Sequence, residues 1–304
     1  MKTVIAIRTH RWGPEEDRLA KALSGVRNAE VVVAFQNRPE GVEPPLPVVD
    51  VSDAFLAAAG LAAVPDWGWR CGDYSLYALR GARPDADFYW LIEPDVFFTS
   101  DPQGFFALFE GDGSDALGYR LEPYGRDMRF SRQLKGLPVM RAIFAMTRFS
   151  GAAIDHVFAL RREAGQGPVS ARYFPNDELF VFTHVAANPS LTSGRLEDRA
   201  PGWFADIQFD TDPDLLLDLV QESAPPGRVL HPVRGRASFV GALTGRISRT
   251  TTVLSAYREA LRALTEDEAE AVVKGVEDRL RGEIRRIRLA RRERRAKRLA
   301  RRAQ

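Results

Sequence analysis

Short apolar runs alternate with amphipathic stretches along the first part of the chain. Residues 2–7, 29–35 and 48–51 are rich in Val and Ile, which predicts three buried strands. Apolar residues at helical spacing over 19–23 predict a helix between the first two strands. A strand, a helix and a second strand at this spacing form a βαβ unit, so we expect a largely parallel sheet that binds its ligand at the carboxyl ends of the strands.

The same alternation continues downstream. Ser52 or Asp53 caps a predicted helix over 54–61, and a second helix is predicted over 74–80. Residues 88–92 form an unbroken apolar run, which is typical of a strand at the centre of a sheet. Beyond it, the pattern predicts helices over 105–109, 151–162 and 176–187 and strands over 116–119, 141–146 and 228–231.

From Ser255 onward the sequence consists almost entirely of helix-forming residues and becomes rich in arginine. Thr265 and Glu268 have the spacing of a capping box at the start of a long helix. We therefore predict two parts, an α/β domain over residues 1–264 and a basic helical tail over 265–304.

The composition is that of an ordinary globular protein, with 45% hydrophobic and 28% charged residues among 304. The one cysteine, Cys71, cannot form an internal disulfide, so a buried core has to stabilise the fold. The apolar run at 2–7 is too short for a signal peptide, and no run of about 18 apolar residues predicts a membrane span. We therefore expect a cytoplasmic protein.

The net charge of +2 conceals an uneven distribution. Residues 279–304 hold 13 of the 43 Lys and Arg but 2 of the 41 Asp and Glu, so residues 1–278 carry 30 basic and 39 acidic groups, a net −9. Phosphate affinity needs a basic face, so an acidic body argues against general nucleic-acid binding, and we expect no specific nucleic-acid partner.

The acidic residues Glu93 and Asp95 directly follow the predicted central strand, with Pro94 between them. Proline cannot donate to a sheet ladder, so the strand ends there and both carboxylates lie at the carboxyl edge of the sheet. Carboxylate oxygens suit Mg²⁺ or Mn²⁺, which proteins usually hold together with substrate phosphates. A nucleotide diphosphate is therefore the expected ligand; the alternative is that Asp95 only caps the turn and Glu93 is solvated.

Two segments resemble the nucleotide-sugar-dependent glycosyltransferases of the GT-A fold. They are Trp-Arg-Cys-Gly-Asp-Tyr at 69–74 and Tyr-Trp-Leu-Ile-Glu-Pro-Asp-Val-Phe-Phe at 89–98, and the second is similar to the YW-x-x-EPDV-x-F segment of fungal α-1,2-mannosyltransferases. The resemblance implies a Rossmann-like α/β fold with a mixed, mostly parallel sheet flanked by helices. It also implies that Glu93 and Asp95 hold a divalent cation against the diphosphate of the donor.

A later segment, Val-Leu-His-Pro-Val-Arg at 229–234, is similar to one in which several GT-A transferases place a further metal ligand. The resemblance assigns this role to His231 and a position near the donor phosphates to Arg234. A neutral imidazole is a suitable ligand for Mn²⁺. Taken alone, a histidine beside proline is more often a structural residue.

Asp177 and Glu178 supply two carboxylates at the start of a predicted helix, where backbone N–H groups stabilise anions. Either can accept a proton from a sugar hydroxyl as a general base, or orient the acceptor or the donor sugar. We prefer Asp177, because a late Asp-Glu pair often approaches the sugar in GT-A enzymes. The alternative is that both acids only stabilise the helix terminus.

Three further polar residues are candidates for binding the donor. Arg8 and His10 come at the end of the first strand, where α/β sheets bind ligands, and Arg8 suits a diphosphate or an exposed salt bridge. Asp73 either bonds the base or ribose of the donor or caps the helix that follows it. Three nearby aromatic residues either stack on a sugar or base or belong to the core: Trp67, Trp69 and Tyr74.

The expected function is metal-dependent transfer of a sugar from a nucleotide diphosphate donor to a glycan or lipid-linked acceptor. A sugar nucleotidyltransferase is the first alternative, but residues 8–13 contain too little glycine for the signature that usually follows its first strand. Neither G-x-G-x-x-G after the first strand nor G-x-x-x-x-G-K-[ST] is present, which argues against dinucleotide redox and P-loop chemistry. The second alternative is a non-catalytic module that acts through its basic tail.

The tail places Leu280, Ile284 and Ile287 at helical intervals on an otherwise arginine-covered helix. Three interpretations remain open: residues 279–304 dock on an anionic membrane surface, bind a polyanion, or form a solvated extension. In the first case the protein would lie peripherally on the inner face of the membrane.

Overall fold

A computed structural model of the chain describes residues 1–125, 130–134, 136–166, 170–205, 208–247 and 257–302. The chain divides into two compact units. The first comprises Met1–Thr211 and Ala224–His231, and the second comprises Asp212–Ser223 and Pro232–Gln304.

The strands and helices of the described residues follow in chain order. The strands are β1 Thr3–Thr9, β2 Ala29–Gln36, β3 Val48–Val51, β4 Phe88–Ile92, β5 Phe97–Phe98, β6 Ala116–Pro123, β7 Met140–Ser150, β8 Ser193–Arg195, β9 Leu215–Leu216, β10 Val229–Leu230 and β11 Val233–Arg234. The helices are α1 Pro14–Leu23, α2 Asp53–Ala59, α3 Trp67–Arg70, α4 Asp73–Ala82, α5 Gln103–Ala107, α6 Gly151–Gly165, α7 Asp177–Ala187, α8 Leu196–Arg199, α9 Pro201–Phe204, α10 Leu217–Ser223, α11 Arg236–Ile247, α12 Arg258–Ala263 and α13 Glu266–Arg302.

The first unit is built on a seven-stranded sheet with the order β3-β2-β1-β4-β7-β6-β8. The strands β3, β2, β1 and β4 run parallel to one another, β7 runs antiparallel to both β4 and β6, and β8 is parallel to β6. The prediction of a mixed, mostly parallel sheet flanked by helices is confirmed.

Strand β1 shows why the sheet has a core on each face. Val4 and Ala6 face one layer and Ile5 and Ile7 face the other, and all four are at most 1% exposed. Helices α2, α4, α6 and α7 contribute to the first layer, and α1 and α5 to the second. Because both faces are covered, the strands read as continuous apolar runs, and polar side chains gather at the strand ends.

Strand β7 is longer than the predicted strand over 141–146. Its last residues, including Thr147 and Arg148, are polar yet buried, and they interrupt the apolar pattern on which the prediction rests. Arg148 stays charged inside the fold because its guanidinium lies 3.8 Å from the ring centre of Phe88 and donates to Asp112 Oδ1 at 3.3 Å.

The second unit has its own small core of Leu216, Phe239, Leu243, Tyr257, Ala260 and Val272. The predicted boundary near 265 followed a change in composition, whereas this core joins residues on both sides of that position. Helix α13 does begin with the predicted capping box: Thr265 N donates to Glu268 Oε2 at 2.8 Å, and Glu268 N donates to Thr265 Oγ1 at 3.3 Å. Among the described residues, no helix has both the length and the apolarity to cross a membrane.

Candidate functional site

The register between β1 and β4 brings the first two site residues together. Ile7 pairs with Ile92 in the parallel ladder, so Arg8, near the end of β1, and Glu93, just after β4, lie side by side at the carboxyl edge of the sheet. Arg8 Nη1 donates to Glu93 Oε1 at 3.2 Å. The side chain of Arg8 is 11% exposed and that of Glu93 is 32% exposed, so Glu93 faces solvent while Arg8 supports it from behind.

A second, smaller ladder positions His231 beside the acidic turn. Strand β10 pairs antiparallel with β5, with Leu230 opposite Phe97. His231 follows Leu230 and therefore lies next to the turn that precedes β5. Its Nε2 atom is 3.4 Å from Asp95 Oδ1 and 3.5 Å from Glu93 Oε2.

The protonation of His231 shows how negative this position is. Its Nδ1–H donates to the backbone oxygen of Asp210 at 2.7 Å, which leaves Nε2 to face the two carboxylates. Burial lowers the pKa of the imidazole, but Asp95 and Glu93 more than offset this and raise the pKa to about 10. The two carboxylates thus stabilise a positive charge on the His231 ring.

This donor set fits a divalent cation. One ligand atom from each of Glu93, Asp95 and His231 lies within 4.8 Å of the others. Two carboxylate oxygens and one imidazole nitrogen suit Mn²⁺ or Mg²⁺ and leave coordination positions for substrate oxygens. The Nδ1–H bond from His231 to a backbone oxygen also fixes the ring as it is fixed in most metal-binding histidines.

Asp177 lies next to Arg8, but it is enclosed. Its Oδ2 accepts the N–H of Gly72 at 2.8 Å and lies 3.6 Å from Arg8 Nη1, and its Oδ1 accepts the N–H of Glu178 at 2.8 Å. Burial raises the pKa of Asp177 to about 8, with Arg8 acting in the opposite direction. With 4% of its surface exposed, Asp177 is a poor contact for an acceptor.

Glu178 is the more accessible of the two acids, with 22% of its side chain exposed. Its Oε2 lies 3.6 Å from Arg141 Nε. Burial raises the pKa of Glu178, Arg141 counteracts this, and the charge of Glu93 adds to the rise. Glu178 is therefore the more open of the two acids, with 22% of its side chain exposed against 6% for Asp177.

The side chain of Asp73, a predicted donor-binding residue, is enclosed by its partners. Both of its oxygens are engaged by Arg161, at 2.7 Å from Nε and 3.0 Å from Nη2, and both side chains are 0% exposed. The hydroxyl of Tyr77 adds a bond of 2.7 Å to Oδ2. Asp73 does not cap a helix, since α4 begins at Asp73 with Gly72 as its N-cap residue and no side-chain capping bond.

Arg161 is the residue that the sequence analysis missed. Its Nη1 donates to the backbone oxygen of Pro175 at 2.9 Å, which ties the segment before α7 to α4 through Asp73. Sequence gave no signal for this role, because an arginine near the end of an amphipathic helix is ordinarily solvated.

Two further predicted residues have other surroundings. His10 is exposed in the turn after β1. Arg234 belongs to the second unit, where its Nε donates to the buried carboxylate of Asp214 at 2.5 Å. The guanidinium of Arg234 thus has a carboxylate partner within its own unit. Its predicted position near the donor phosphates stays a prediction.

Of the aromatic residues and the cysteine near the site, Trp67, Tyr74 and Cys71 are buried and Trp69 is exposed. Trp67 and Tyr74 are buried and stack with their ring centres 6.0 Å apart, so they belong to the core. Trp69 is 67% exposed on α3, and the backbone oxygens of Gly68 and Trp69 in this helix accept hydrogen bonds from Arg8. Burial raises the pKa of Cys71 to about 12, so its thiol stays protonated and is no nucleophile at neutral pH.

The chain matches no protein-family model and no curated protein at a significant level. Among solved structures it is similar to a mannosyltransferase from Pyrobaculum calidifontis in complex with GDP-Man and Mn²⁺, with a TM-score of 0.38 and 10% identity over 90% of this chain and 68% of that one. It is also similar to a glycosyltransferase involved in glycosylation of the major capsid of PBCV-1, with a TM-score of 0.37 and 10% identity over 72% of this chain and 87% of that one. A 4-diphosphocytidyl-2C-methyl-D-erythritol synthase from Anaerococcus prevotii gives a TM-score of 0.37 and 11% identity over 64% and 87% of the two chains. At these scores and identities, the similarity identifies neither a family nor a substrate.

Proposed function

We propose that the chain is a metal-dependent glycosyltransferase of the GT-A type, which transfers a hexose-type sugar from a nucleotide diphosphate donor to an acceptor hydroxyl. The observation that carries this proposal is the convergence of Glu93, Asp95 and His231 at the carboxyl edge of the sheet, within 4.8 Å of one another. The resemblance of residues 89–98, which include Glu93 and Asp95, to GT-A transferases agrees with the proposal.

At the donor end, Glu93, Asp95 and His231 would hold the cation, and Arg8 orients Glu93. When bound, a divalent cation neutralises charge on the departing diphosphate. Arg8 fixes Glu93 through Oε1, which leaves Oε2 and Asp95 Oδ1 directed at the same point. Since the carbonyls of Gly68 and Trp69 in turn bind Arg8, the ligand geometry is set before any substrate arrives.

At the acceptor end, Glu178 is the general base. The bond between the anomeric carbon and the diphosphate oxygen breaks, a bond from the acceptor oxygen forms, and the hydroxyl proton passes to Glu178. A raised pKa suits this role, because proton transfer is most efficient when the pKa of the base lies near the working pH. Asp177 acts as a positioning residue that holds Arg8 and Gly72.

The acceptor is a glycan or a lipid-linked sugar. This part of the proposal rests on the resemblance of the sequence to GT-A transferases.

The test is hydrolysis of nucleotide-sugar donors in the absence of acceptor, with Mn²⁺, Mg²⁺ or a chelator. We expect release of nucleoside diphosphate with the metal and none with the chelator. The hydrolysis rate of the double variant Glu93→Ala/Asp95→Ala should fall at least 100-fold, because the loss of each ligand weakens binding of the cation that stabilises the leaving group. Asp85→Asn/Glu110→Gln, which alters two exposed acids elsewhere in the first unit, is the matched control.

Two results would contradict the proposal. Full activity in the chelator or in the Glu93→Ala/Asp95→Ala variant would remove the metal site from the reaction. Release of pyrophosphate from a nucleoside triphosphate and a sugar phosphate, without donor hydrolysis, would identify a nucleotidyltransferase instead.

A further inference from the structure

The long C-terminal helix concentrates positive charge on one end of the chain. Helix α13 spans Glu266–Arg302, 37 residues, and residues 279–304 carry 13 Lys or Arg against 2 acids. The first turn is acidic, with Glu266, Asp267 and Glu268, and the charge reverses along the helix. The distal half is therefore strongly cationic while the rest of the chain is net negative.

The same helix leaves large apolar side chains in water. Val273 is 59% exposed, Leu280 is 49% exposed and Ile284 is 49% exposed. Since residues seven and four apart share a face of an α-helix, these three form one stripe along its surface. Arg281, Arg285 and Arg288 lie together on one side of the stripe, and all three are exposed.

We propose that the distal part of α13 docks on an anionic lipid bilayer, lying in the plane of the interface. Leu280 and Ile284 enter the boundary between headgroups and acyl chains, and the flanking arginines bind lipid phosphates. The arginine stems are long enough to keep their charges at headgroup level while the apolar stripe is buried. This docking does not depend on the proposed transferase activity.

The charge and the apolar stripe of α13 favour an anionic bilayer over a second copy of the helix or a nucleic acid as the binding partner. A second copy of the helix would bring two segments of +11 together, which repel each other. A nucleic acid would satisfy the arginines but would leave Leu280 and Ile284 exposed to water. An anionic bilayer satisfies both features.

The test is co-sedimentation of the full chain with vesicles of phosphatidylcholine alone or with about 30% phosphatidylglycerol. We expect binding to the anionic vesicles only, weakened by added salt. Arg281→Gln/Arg285→Gln/Arg288→Gln should reduce the partition constant about 100-fold, about 3 kcal/mol in free energy, since each arginine near an anionic leaflet contributes about 1 kcal/mol. Lys2→Gln/Lys21→Gln/Arg27→Gln, three exposed cations of the first unit, should bind like the wild type.

A second pair of variants tests the apolar stripe. Leu280→Gln/Ile284→Gln should reduce vesicle binding about tenfold or more, because the inserted apolar area is lost. Leu108→Gln removes a side chain of the same 49% exposure from the first unit and should have no effect. All substituted positions on α13 are exposed, and circular dichroism checks that the helix is retained.

Three results would overturn the proposal. The first is equal binding, or no binding, with neutral and anionic vesicles. The second is wild-type binding by the triple arginine variant. The third is wild-type vesicle binding by Leu280→Gln/Ile284→Gln together with competition by single-stranded DNA, which would make the segment a general polyanion binder.

Discussion

At the scale of single residues, the buried pair of Asp73 and Arg161 shows how a charged side chain with a structural role differs from one that is open to a ligand. Both side chains are fully buried and joined by two hydrogen bonds, and Arg161 also holds the segment before α7. Glu93 and Glu178, by contrast, keep part of their surface open. A carboxylate near a site is thus a candidate for chemistry only where its partners leave an oxygen exposed.

Asp73→Asn should destabilise the protein by about 3–5 kcal/mol, because it leaves Arg161 buried without its carboxylate. The measurement is the shift in the urea unfolding midpoint. Asp155→Asn, which breaks the ion pair of Arg80 with the 54%-exposed Asp155, is the matched control and should cost less than about 1 kcal/mol. Equal effects of the two variants would contradict the structural role of Asp73.

His184 makes the stability depend on pH. Its ring lies 4.4 Å from that of Phe180, and burial, with Arg161 and His156 adding to it, lowers the pKa of the imidazole from 6.5 to about 4. The folded protein therefore keeps His184 neutral while the unfolded chain takes up a proton below pH 6.5. The contribution to stability is complete above about pH 6.5 and is lost as the pH falls toward 4.

Between pH 7 and pH 5, the free energy of unfolding should fall less in His184→Gln than in the wild type, and the difference between the two falls should be roughly 1–2 kcal/mol. Urea unfolding of both proteins at the two pH values measures this difference. Parallel pH profiles of the two proteins would show that His184 does not titrate as described.

At the scale of elements, the loop from α3 to α4 fixes the cluster at the sheet edge through close backbone approach. A Cβ atom on Gly72 would overlap Arg8 Nη1 and lie 2.5 Å from Asp177 Oδ2. Gly72 N–H itself donates to Asp177 at 2.8 Å. The glycine is thus required by the space that Arg8 and Asp177 occupy.

Gly72→Ala should displace Arg8 from Glu93 and weaken Mn²⁺ binding about tenfold or more, since the cation ligands lose their support. Isothermal titration with Mn²⁺ measures this. Gly81→Ala, later in α4, has nothing within 4 Å of the added Cβ and should leave metal binding unchanged while raising stability by about 0.5 kcal/mol. Unchanged metal binding by Gly72→Ala would show that Arg8 does not position Glu93.

The elements themselves were largely predictable from sequence. β2, β3 and β4 have the predicted positions within a residue, and α2 begins after Ser52, whose side chain accepts the N–H of Phe55 at 3.1 Å. Hydrophobic periodicity and capping act within a few residues, so a single sequence displays them. The antiparallel direction of β7 could not be predicted from these local patterns, because strand direction depends on partner strands far along the chain.

At the scale of the whole molecule, the core of the second unit joins residues on both sides of the position at which the composition changes. Val272 of α13 packs with Phe239 and Leu243 of α11, and Arg236 Nη1 donates to Glu268 Oε2 at 2.9 Å. The first part of α13 therefore belongs to a core, and its basic part lies beyond that core in sequence.

A chain ending at residue 278 should keep the amide protons of α11 protected from hydrogen exchange, because Val272 remains in place. A chain ending at 264, the predicted boundary, should lose that protection. Protection in β1 and β4, which belong to the core of the first unit, serves as the internal control and should persist in both. Protection of α11 in the shorter chain would instead support the predicted boundary at 265.

The sequence by itself determined the α/β class, most strands and helices, and the acidic turn after the central strand, because periodicity and proline chemistry are local. It also named each member of the cluster of Glu93, Asp95 and His231. Only the tertiary structure decided that Asp73 is closed off, that Glu178 rather than Asp177 is open, and where the second unit begins. Those outcomes depend on burial by residues distant in the chain, and burial sets whether a charge is shielded, shifted in pKa or free to bind.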